Sequence, residues 1–220
     1  MQQIRWKLAQ NLESRWWSNY LKDKDKEEYL NWKRDYWTDF LDRLPEDASN
    51  LKGLEIADIG CGPAGIFTVL DQSSVFASDP LLSKYQEQLP QFEQSDFPWV
   101  SFQTSSLEEG IPKRSFDRIF CLNAINHVKD LNLAFSNLAE GLKENGYLIL
   151  SSDVHKKSWT RNLFKFCSWM DPLHPQQDSA KDYESLFARK GFKIEKTWKH
   201  KENFLFEYRV WVLRSLPTAG

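Results

Sequence analysis

The stretch Asp58-Ile59-Gly60-Cys61-Gly62-Pro63-Ala64-Gly65 decides the fold of this chain of 220 residues. It follows the apolar residues 54–59, which predict a short buried strand, and precedes residues 66–70, which predict the start of a helix. The three glycines therefore fall in a strand-to-helix turn at G-x-G-x-x-G spacing. Since glycine has no Cβ, such a turn lets the backbone approach a nucleotide-like ligand closely, with N–H groups at the helix start facing it.

Asp58 indicates which ligand this turn holds. The glycine spacing alone fits both the dinucleotide-binding loop and the turn that holds an adenosyl sulfonium. A carboxylate at the end of a buried strand costs free energy unless it meets a donor or a cation. S-adenosylmethionine offers an ammonium and a sulfonium, whereas the pyrophosphate of NAD adds only negative charge. The residues therefore favour S-adenosylmethionine as the cofactor.

Composition excludes several classes of protein. The formal net charge is -2, with 29 basic and 31 acidic residues mixed along the chain, so we expect no nucleic-acid partner. The three cysteines, Cys61, Cys121 and Cys167, lie far apart without metal-ligand spacing, which favours a reducing compartment and no metal. Neither a leader-like segment nor a run of roughly 18 apolar residues occurs. We expect a soluble, cytoplasmic protein without a membrane span.

The first fifty residues are unusually aromatic, with five of the ten tryptophans before residue 45. Apolar residues recur there every three or four positions, which predicts two amphipathic helices. The sequence thus predicts an N-terminal extension, 1–50, ahead of a ligand-binding domain, 51–220. The helices either form a lid over an apolar acceptor, with Trp16, Trp17 and Tyr20 in contact with it, or only pack on the sheet. Because Trp16 and Trp17 are adjacent, they cannot both face one direction on a helix.

Strand and helix signals alternate after residue 54, which predicts an α/β fold with a parallel sheet. A helical stripe runs from Leu131 to Leu142 and ends in a predicted turn at 144–146. An insertion is expected at about 155–180, with a helix over 159–170 and a proline-punctuated loop after it, followed by a helix at 182–190. The last strand is apolar on both faces, which indicates an interior position. The predicted strands are 54–59, 75–78, 100–103, 118–123, 147–152, 192–198 and 204–213.

Over residues 54–213 the chain resembles the class I S-adenosylmethionine-dependent methyltransferases of the small-molecule, type 11-like group. Asp58 and the three glycines match that family's first motif. Asp79, at the end of the second predicted strand, matches the acid that binds both ribose hydroxyls; it alternatively opens a turn before Pro80. The resemblance implies a Rossmann-like, doubly wound, mostly parallel sheet of seven strands with an antiparallel last strand. It also implies methyl transfer by in-line displacement to a small, partly apolar acceptor.

Later motifs extend the predicted site. Ser106 stands where the family usually has aspartate, and it and the Leu107 amide are expected at the adenine, although this is alternatively a plain polar loop. Asn123 is expected at the methionine end of the cofactor. His127 either supports its loop or contacts substrate. The predicted cofactor-binding residues are Asp58, Gly60, Cys61, Gly62, Gly65, Asp79, Pro80, Ser106, Leu107 and Asn123. The predicted substrate-binding residues are Trp16, Trp17, Tyr20, His127 and Asp153.

Methyl transfer needs positioning more than acid–base chemistry, because the sulfonium is already a reactive electrophile. A base is needed only where the acceptor must lose a proton. His155, just after the fifth strand, and His174, in the insertion, are the candidates, since an unperturbed imidazole titrates near pH 6.5. Either histidine alternatively lies at the surface without a catalytic role.

Two other functions remain open. A nicotinamide-dependent oxidoreductase shares the glycine spacing but is disfavoured by Asp58 and by Phe116-Asp117 at the entry to the fourth strand. A non-catalytic module that docks a protein through its tryptophans is disfavoured by the intact glycine loop and Asp79. The segment Asn123-Ala124-Ile125-Asn126 lacks the Asn-Pro-Pro-Tyr pattern of enzymes that methylate nucleic-acid amines. The acceptor atom stays open among oxygen, nitrogen, carbon and sulfur, as does the oligomeric state.

Overall fold

The computed structural model describes residues 2–155, 179–202 and 206–216. The helices are α1 (Gln2–Leu21), α2 (Lys26–Leu41), α3 (Glu46–Ser49), α4 (Leu82–Gln88), α5 (Leu131–Gly141) and α6 (Ala180–Arg189). The strands are β1 (Glu55–Ile59), β2 (Ser74–Ser78), β3 (Val100–Gln103), β4 (Phe116–Leu122), β5 (Leu142–His155), β6 (Phe192–Glu202) and β7 (Phe206–Ser215). Short 3-10 turns cover Ile66–Val69, Gln94–Asp96, Leu107–Glu109 and Ile125–His127. Within the described ranges every helix is too short or too polar to cross a membrane.

The strands form one sheet in the order β3-β2-β1-β4-β5-β7-β6. Neighbours from β3 to β5 pair in parallel, and β7 runs antiparallel to both β5 and β6. The predicted fold, a mostly parallel seven-stranded sheet with an antiparallel last strand, is confirmed. The predicted interior position of the last strand is also confirmed. Because β1, β2, β4 and β5 run in one direction, their carboxyl ends share one edge of the sheet, where such folds bind ligands.

Apolar side chains cover both faces of the sheet. One cluster joins α1, α2 and α4 to the sheet through residues such as Leu30, Phe40 and Tyr85. The other packs α5 and α6 against the opposite face, with Phe187 and Trp211 fully buried. The two helices predicted before the sheet are therefore present, and they share a core with it.

Local sequence fixes where three helices begin. The Asp25 side chain accepts the Glu28 N–H at the start of α2, and the Asp130 side chain accepts the Leu133 N–H at the start of α5. Ser179 caps α6 in a reciprocal arrangement with the acidic residue three positions later. Each cap satisfies an N–H group that the helix itself leaves without a partner.

The helix predicted to start at residues 66–70 is wrong in extent, since only a 3-10 turn, Ile66–Val69, forms there. The eight residues 66–73 must bring the chain back along β1 before β2 begins. After the 3-10 turn, residues 70–73 form a second turn, in which the Ser73 N–H donates to the Leu70 carbonyl at 3.0 Å. This second turn leads directly into β2 and leaves no room for an α-helix.

The turn predicted at 144–146 lies inside β5 rather than before it. Phe116 pairs with Leu142 and Arg118 pairs with Tyr147, so the intervening residues of β5 bulge out of the ladder. Asn145 takes a left-handed backbone with φ of 59°, a conformation that asparagine tolerates. A local change of direction at Asn145 is therefore present, as predicted, but the strand continues through it. The helix predicted over 159–170 and the loop after it lie outside the described residues.

Candidate active site

The glycine loop between β1 and the Ile66–Val69 turn is too crowded for side chains at two positions. Gly60 has φ of 68°, and a Cβ there would lie 2.2 Å from the Cβ of Ala124. A Cβ on Gly65 would lie 2.4 Å from Oδ2 of Asp58 and 2.5 Å from the carbonyl oxygen of Cys61. Gly62 also has a left-handed backbone, with φ of 59°. The loop therefore folds tightly over the end of β1 and presents bare backbone.

Asp58, at the carboxyl half of β1, is 2% exposed. Its Oδ2 accepts the backbone N–H of Phe67 at 3.1 Å, which ties the far side of the loop to the strand. Burial raises the pKa of Asp58 to about 7, against the opposing effect of that N–H, and the nearby Asp79 raises it further. The charge of Lys33 on α2 acts in the opposite sense. A cationic ligand would restore the ionised carboxylate.

Asp79 follows β2 and faces the same loop. Its Oδ2 accepts the N–H of Gly62 at 3.0 Å, and its Oδ1 accepts the N–H of Leu81 at 2.8 Å. Burial raises its pKa to about 6, while the two N–H groups favour the charged form. Cys61, between the glycines, is buried, and desolvation raises the pKa of its thiol well above the usual value. Pro80, also predicted at the cofactor, is partly buried beside Asp79.

A third carboxylate, missed in the sequence, reaches this place from α1. Burial raises the pKa of Glu13 to about 7; the charge of Asp79 adds to the effect, and a hydrogen bond from the Trp17 side chain opposes it. The Trp17 ring also covers the glycine loop, with Cζ2 3.7 Å from the position of a Cβ on Gly62. Tyr85 of α4 stands edge-on to Trp17, and its buried hydroxyl has no hydrogen bond among the described residues. No local pattern marked Glu13, because helical acids usually face solvent.

The loop after β3 carries the predicted adenine contacts. Ser106 is partly buried, and Leu107 is 7% exposed with its carbonyl accepting the amide of Asn137. The neighbouring Ser105, which sequence reasoning passed over, is 5% exposed, and its hydroxyl has no hydrogen bond among the described residues.

The ends of β4 and β5 form the other half of the site. Asn123 is exposed, takes a left-handed backbone with φ of 56°, and donates its N–H to the hydroxyl of Ser151 at 3.0 Å. Ser151 in turn lies 2.6 Å from the hydroxyl of Tyr208 on β7. Asp153 pairs with Tyr208 across the strands, and His127 ends a 3-10 turn after β4, partly buried. Backbone strain of this kind collects at functional sites.

A histidine that the sequence did not single out joins this group. The hydroxyl of Tyr36, on α2, lies 3.1 Å from Nε2 of His200, on β6. The His200 ring stands edge-on to Tyr208 with centroids 5.6 Å apart. Only the tertiary fold brings these residues together, since His200 lies in the continuous polar run 199–202 of β6, which gives no local signal.

The remaining predicted site residues lie beside Trp17 on α1 or beyond the described part. Trp16 is 54% exposed and Tyr20 is 38% exposed, and their rings stack on each other with centroids 5.0 Å apart on the outer side of α1. His155 closes β5, with its side chain outside the described part, and His174 lies outside the described residues.

A separate groove of about 750 Å³ opens at the opposite end of the sheet, where β1, β4 and β5 begin. Arg118 lies in it, stacked 4.6 Å from the Tyr147 ring, and donates to the carbonyls of Asp47, Ala48 and Asp117. Parallel sheets of this kind bind ligands at the carboxyl ends of the strands. The groove is therefore not the candidate active site.

Comparison with known sequences agrees with this geometry. A family model described as "Methyltransferase domain" matches residues 29–197. The ubiquinone biosynthesis O-methyltransferase of Rickettsia canadensis is 28% identical over 114 residues, 51% of this chain and 48% of that protein. The protein of the same name from Rickettsia conorii is 30% identical over 107 residues, 48% of this chain and 37% of that protein. The chain thus spans about half the length of the curated relatives it matches, or less.

Solved structures with the same fold cover most of the chain. Magnesium protoporphyrin IX methyltransferase from Synechocystis PCC 6803, crystallised with S-adenosylhomocysteine, superposes with a TM-score of 0.59 at 23% identity, covering 83% of each chain. Geranyl diphosphate C-methyltransferase from Streptomyces coelicolor A3(2) gives a TM-score of 0.58 at 13% identity, covering 83% of this chain and 79% of that one. At these identities the likeness is one of fold.

Proposed function

Because the chain belongs to the methyltransferase domain family, we propose that it transfers the methyl group of S-adenosylmethionine by in-line displacement to a small, partly apolar acceptor. The observation that carries the proposal is the convergence of Asp58, the glycine loop and Asp79 at one edge of the sheet. Among the described residues, neither carboxylate forms an ion pair. Buried carboxylates that form no ion pair suit a ligand that brings its own positive charge.

The residues present fit this donor. The glycine loop is a cradle that a Cβ at Gly60 or Gly65 would fill. Each oxygen of Asp79 accepts one N–H in the structure and has a further lone pair for a ribose hydroxyl. The buried hydroxyls of Tyr85 and Ser105 need hydrogen-bond partners, which a nucleoside supplies. The remaining predicted cofactor contacts, including Ser106, Leu107 and Asn123, belong to this proposal.

The bound donor supplies a methyl group activated by a sulfonium. The chain's residues position that group and keep water away from it. Trp17 covers the loop at Gly62, and the indole N–H of Trp37 donates to the Ala64 carbonyl at 3.0 Å. Both contacts support a role of the N-terminal helices as a cover over the donor as well as a packing layer.

We further propose an oxygen atom as the acceptor. The curated relatives carry the name O-methyltransferase, and hydroxyl and imidazole groups meet at the ends of β5, β6 and β7. His127 and Asp153 flank that place and belong to the proposed acceptor contacts. The two described cysteines, Cys61 and Cys121, are free thiols, which supports a reducing, cytoplasmic location.

Calorimetry with S-adenosylmethionine tests the donor site. We expect the wild-type protein to bind it, and Asp79→Ala to weaken binding by about 10- to 100-fold, because charge-assisted hydrogen bonds to the ribose are lost. Asp71→Ala is the matched control: Asp71 is exposed in the turn before β2, and affinity should not change. No binding by the wild type would refute the proposed function, and an unchanged affinity in Asp79→Ala would refute the ribose contact alone.

Transfer of label from methyl-labelled donor to small phenols tests catalysis. Labelled product with the wild type, and little with Asp79→Ala at low donor concentration, is the expected outcome. Donor binding without transfer to any phenol, amine or thiol would instead favour a non-catalytic module that binds the donor.

A further inference from the structure

His200 occupies a β-bulge in β6. Lys199 pairs with Arg209 and Lys201 pairs with Tyr208, so His200 is an extra residue between two consecutive partners on β7. Bulges re-aim one side chain and are frequent next to active sites. This bulge lies near the carboxyl end of β6, which is separated from β5 by β7 and runs in the same direction as β5. It therefore lies at the same edge of the sheet as the proposed donor site.

The bulge directs the His200 ring toward α2, among aromatic side chains. Its Nε2 lies 3.1 Å from the Tyr36 hydroxyl, and its ring stands edge-on to Phe40 and Tyr208. Phe40 also contacts Trp198. Tyr36, His200 and Tyr208 are each only partly buried. The cluster therefore offers polar atoms between aromatic walls, an environment that suits an aromatic ring bearing a hydroxyl.

Two contacts connect this cluster with the proposed donor site. Tyr36 is adjacent to Trp37, with ring centroids 4.8 Å apart, and Trp37 is hydrogen-bonded to the glycine loop. On the other side, Tyr208 reaches Ser151, which accepts the N–H of Asn123 at the end of β4. The cluster is thus connected through single contacts to the glycine loop on one side and to the end of β4 on the other.

We propose that Tyr36 takes the proton of a phenolic acceptor, and that His200 is the positioning residue that receives Tyr36's own proton at Nε2. This inference rests on the proposed methyl transfer to oxygen. The acceptor oxygen forms a bond to the methyl carbon while the carbon–sulfur bond breaks and its electron pair stays on sulfur. The acceptor proton passes to the Tyr36 oxygen, and the phenolic proton of Tyr36 passes to His200. The positive charge of the sulfonium ends on the imidazolium.

The charges around the pair are compatible with this relay. Burial raises the pKa of Tyr36, so it stays a neutral donor, while Arg43 at the end of α2 lowers it. Lys33 lies 5.6 Å from the Tyr36 ring centroid. From the sheet side, Asp153 and Tyr208 face the pair, and burial raises the pKa of Tyr208, with Tyr36 and Asp153 adding to the effect.

Absorption spectroscopy of bound 4-nitrocatechol tests the inference without turnover, because its visible spectrum reports its ionisation. The protein is loaded with S-adenosylhomocysteine, which carries no methyl group to transfer. We expect binding to the wild type to lower the apparent pKa of the probe. In Tyr36→Phe and in His200→Gln the pKa of the bound probe should be higher than in the wild type by about one pH unit, a tenfold change in the ionisation constant. The glutamine side chain still accepts a hydrogen bond from Tyr36 but takes up no proton in the pH range of the titration.

Tyr29→Phe is the matched control. Tyr29 also lies on α2, is 4% exposed, and its hydroxyl has no hydrogen bond among the described residues, so the probe should ionise as in the wild type. Equal spectra in all four proteins, or failure of the loaded wild type to bind the probe, would overturn the inference. Neither result bears on the proposed donor site, because the affinity for S-adenosylmethionine, measured by calorimetry, should depend on Asp79 and not on Tyr36 or His200. Loss of donor binding in the wild type would instead refute the proposed function itself.

Discussion

At the scale of single residues, the glycines of the loop are needed for two different reasons. Gly60 and Gly62 have left-handed backbones, which glycine adopts without strain. Gly65 has φ of -74°, a conformation open to any residue. What Gly65 lacks is space, because Asp58 and the Cys61 carbonyl close over it. The glycine spacing that identified the loop therefore combines a conformational requirement with a packing requirement.

Gly65→Ala should therefore destabilise the protein by about 2–3 kcal/mol, because the added methyl group forces the Asp58 carboxylate or the loop backbone to move. Affinity for S-adenosylmethionine should fall with it, since the same carboxylate faces the proposed site. Urea unfolding and calorimetry measure the two effects. Gly53→Ala is the control: Gly53 has φ of 74° but nothing within 4 Å of a Cβ. It should cost about 1 kcal/mol from backbone strain and leave donor affinity unchanged; equal losses in both variants would contradict the packing argument.

At the scale of elements, α2 connects the two halves of the site. Its adjacent residues Tyr36 and Trp37 point to different places, the first to His200 and the second to the Ala64 carbonyl. On a helix, neighbouring residues differ by about 100° in direction, so one turn of α2 serves both contacts. A helix that precedes the sheet in sequence is thus tied both to the glycine loop and to β6.

Trp37→Phe should lower the free energy of unfolding by about 1–3 kcal/mol, because the buried Ala64 carbonyl loses its donor. Hydrogen exchange in the glycine loop should accelerate as well, since the loop loses a tether to α2. Trp32→Phe on the same helix is the control: Trp32 is 51% exposed, and its replacement should change stability by less than about 0.5 kcal/mol. A loop whose exchange is unchanged in Trp37→Phe would show that this tether does not hold it.

Sequence periodicity predicted the elements that obey local rules. The strands, α5 and α6 have apolar patterns set by burial, and Asp58 and Asp79 fall at strand ends where the chain order alone puts them. The helix expected after Gly65 did not form, because a 3-10 turn and a second turn closed at Ser73 lead the chain directly into β2. His200 was not predicted because a bulge is defined by strand pairing. Lys199 pairs with Arg209 and Lys201 pairs with Tyr208, and no residue spacing along β6 indicates the extra residue between them.

At the scale of the whole molecule, a near-neutral chain concentrates negative charge at one place. The formal net charge is only -2, yet Glu13, Asp58 and Asp79 come from three separate elements to the same edge of the sheet. Burial is the main cause of the raised pKa of each carboxyl, and Asp79 adds to the effect on both Glu13 and Asp58. The fold thus carries an electrostatic cost, which binding of the proposed cationic donor would offset.

The pH dependence follows from these shifts. A carboxyl whose pKa is higher in the folded than in the unfolded state contributes stability below its unfolded pKa, and that contribution is lost as pH rises through the folded pKa. Because of these groups, the stability of the protein without ligand should fall between about pH 4 and pH 7 and stay low above it, since Asp79 ionises in the folded state at about 6 and the other two at about 7. Glu13→Gln should recover on the order of 1–3 kcal/mol of that loss at pH 8, as measured by urea unfolding at pH 5.5 and pH 8.

Donor binding should show the opposite trend, because a cation binds the ionised carboxylates. Affinity for S-adenosylmethionine should rise from pH 5.5 to pH 8, with protons released on binding below pH 7, measurable by calorimetry in buffers of different ionisation enthalpy. S-adenosylhomocysteine lacks the sulfonium charge, so its affinity should depend less on pH, and the difference between the two ligands isolates that charge from other titrating groups. A steeper dependence for S-adenosylhomocysteine, or tighter binding of both ligands at pH 5.5, would mean that the three carboxyls do not act on the donor's charge.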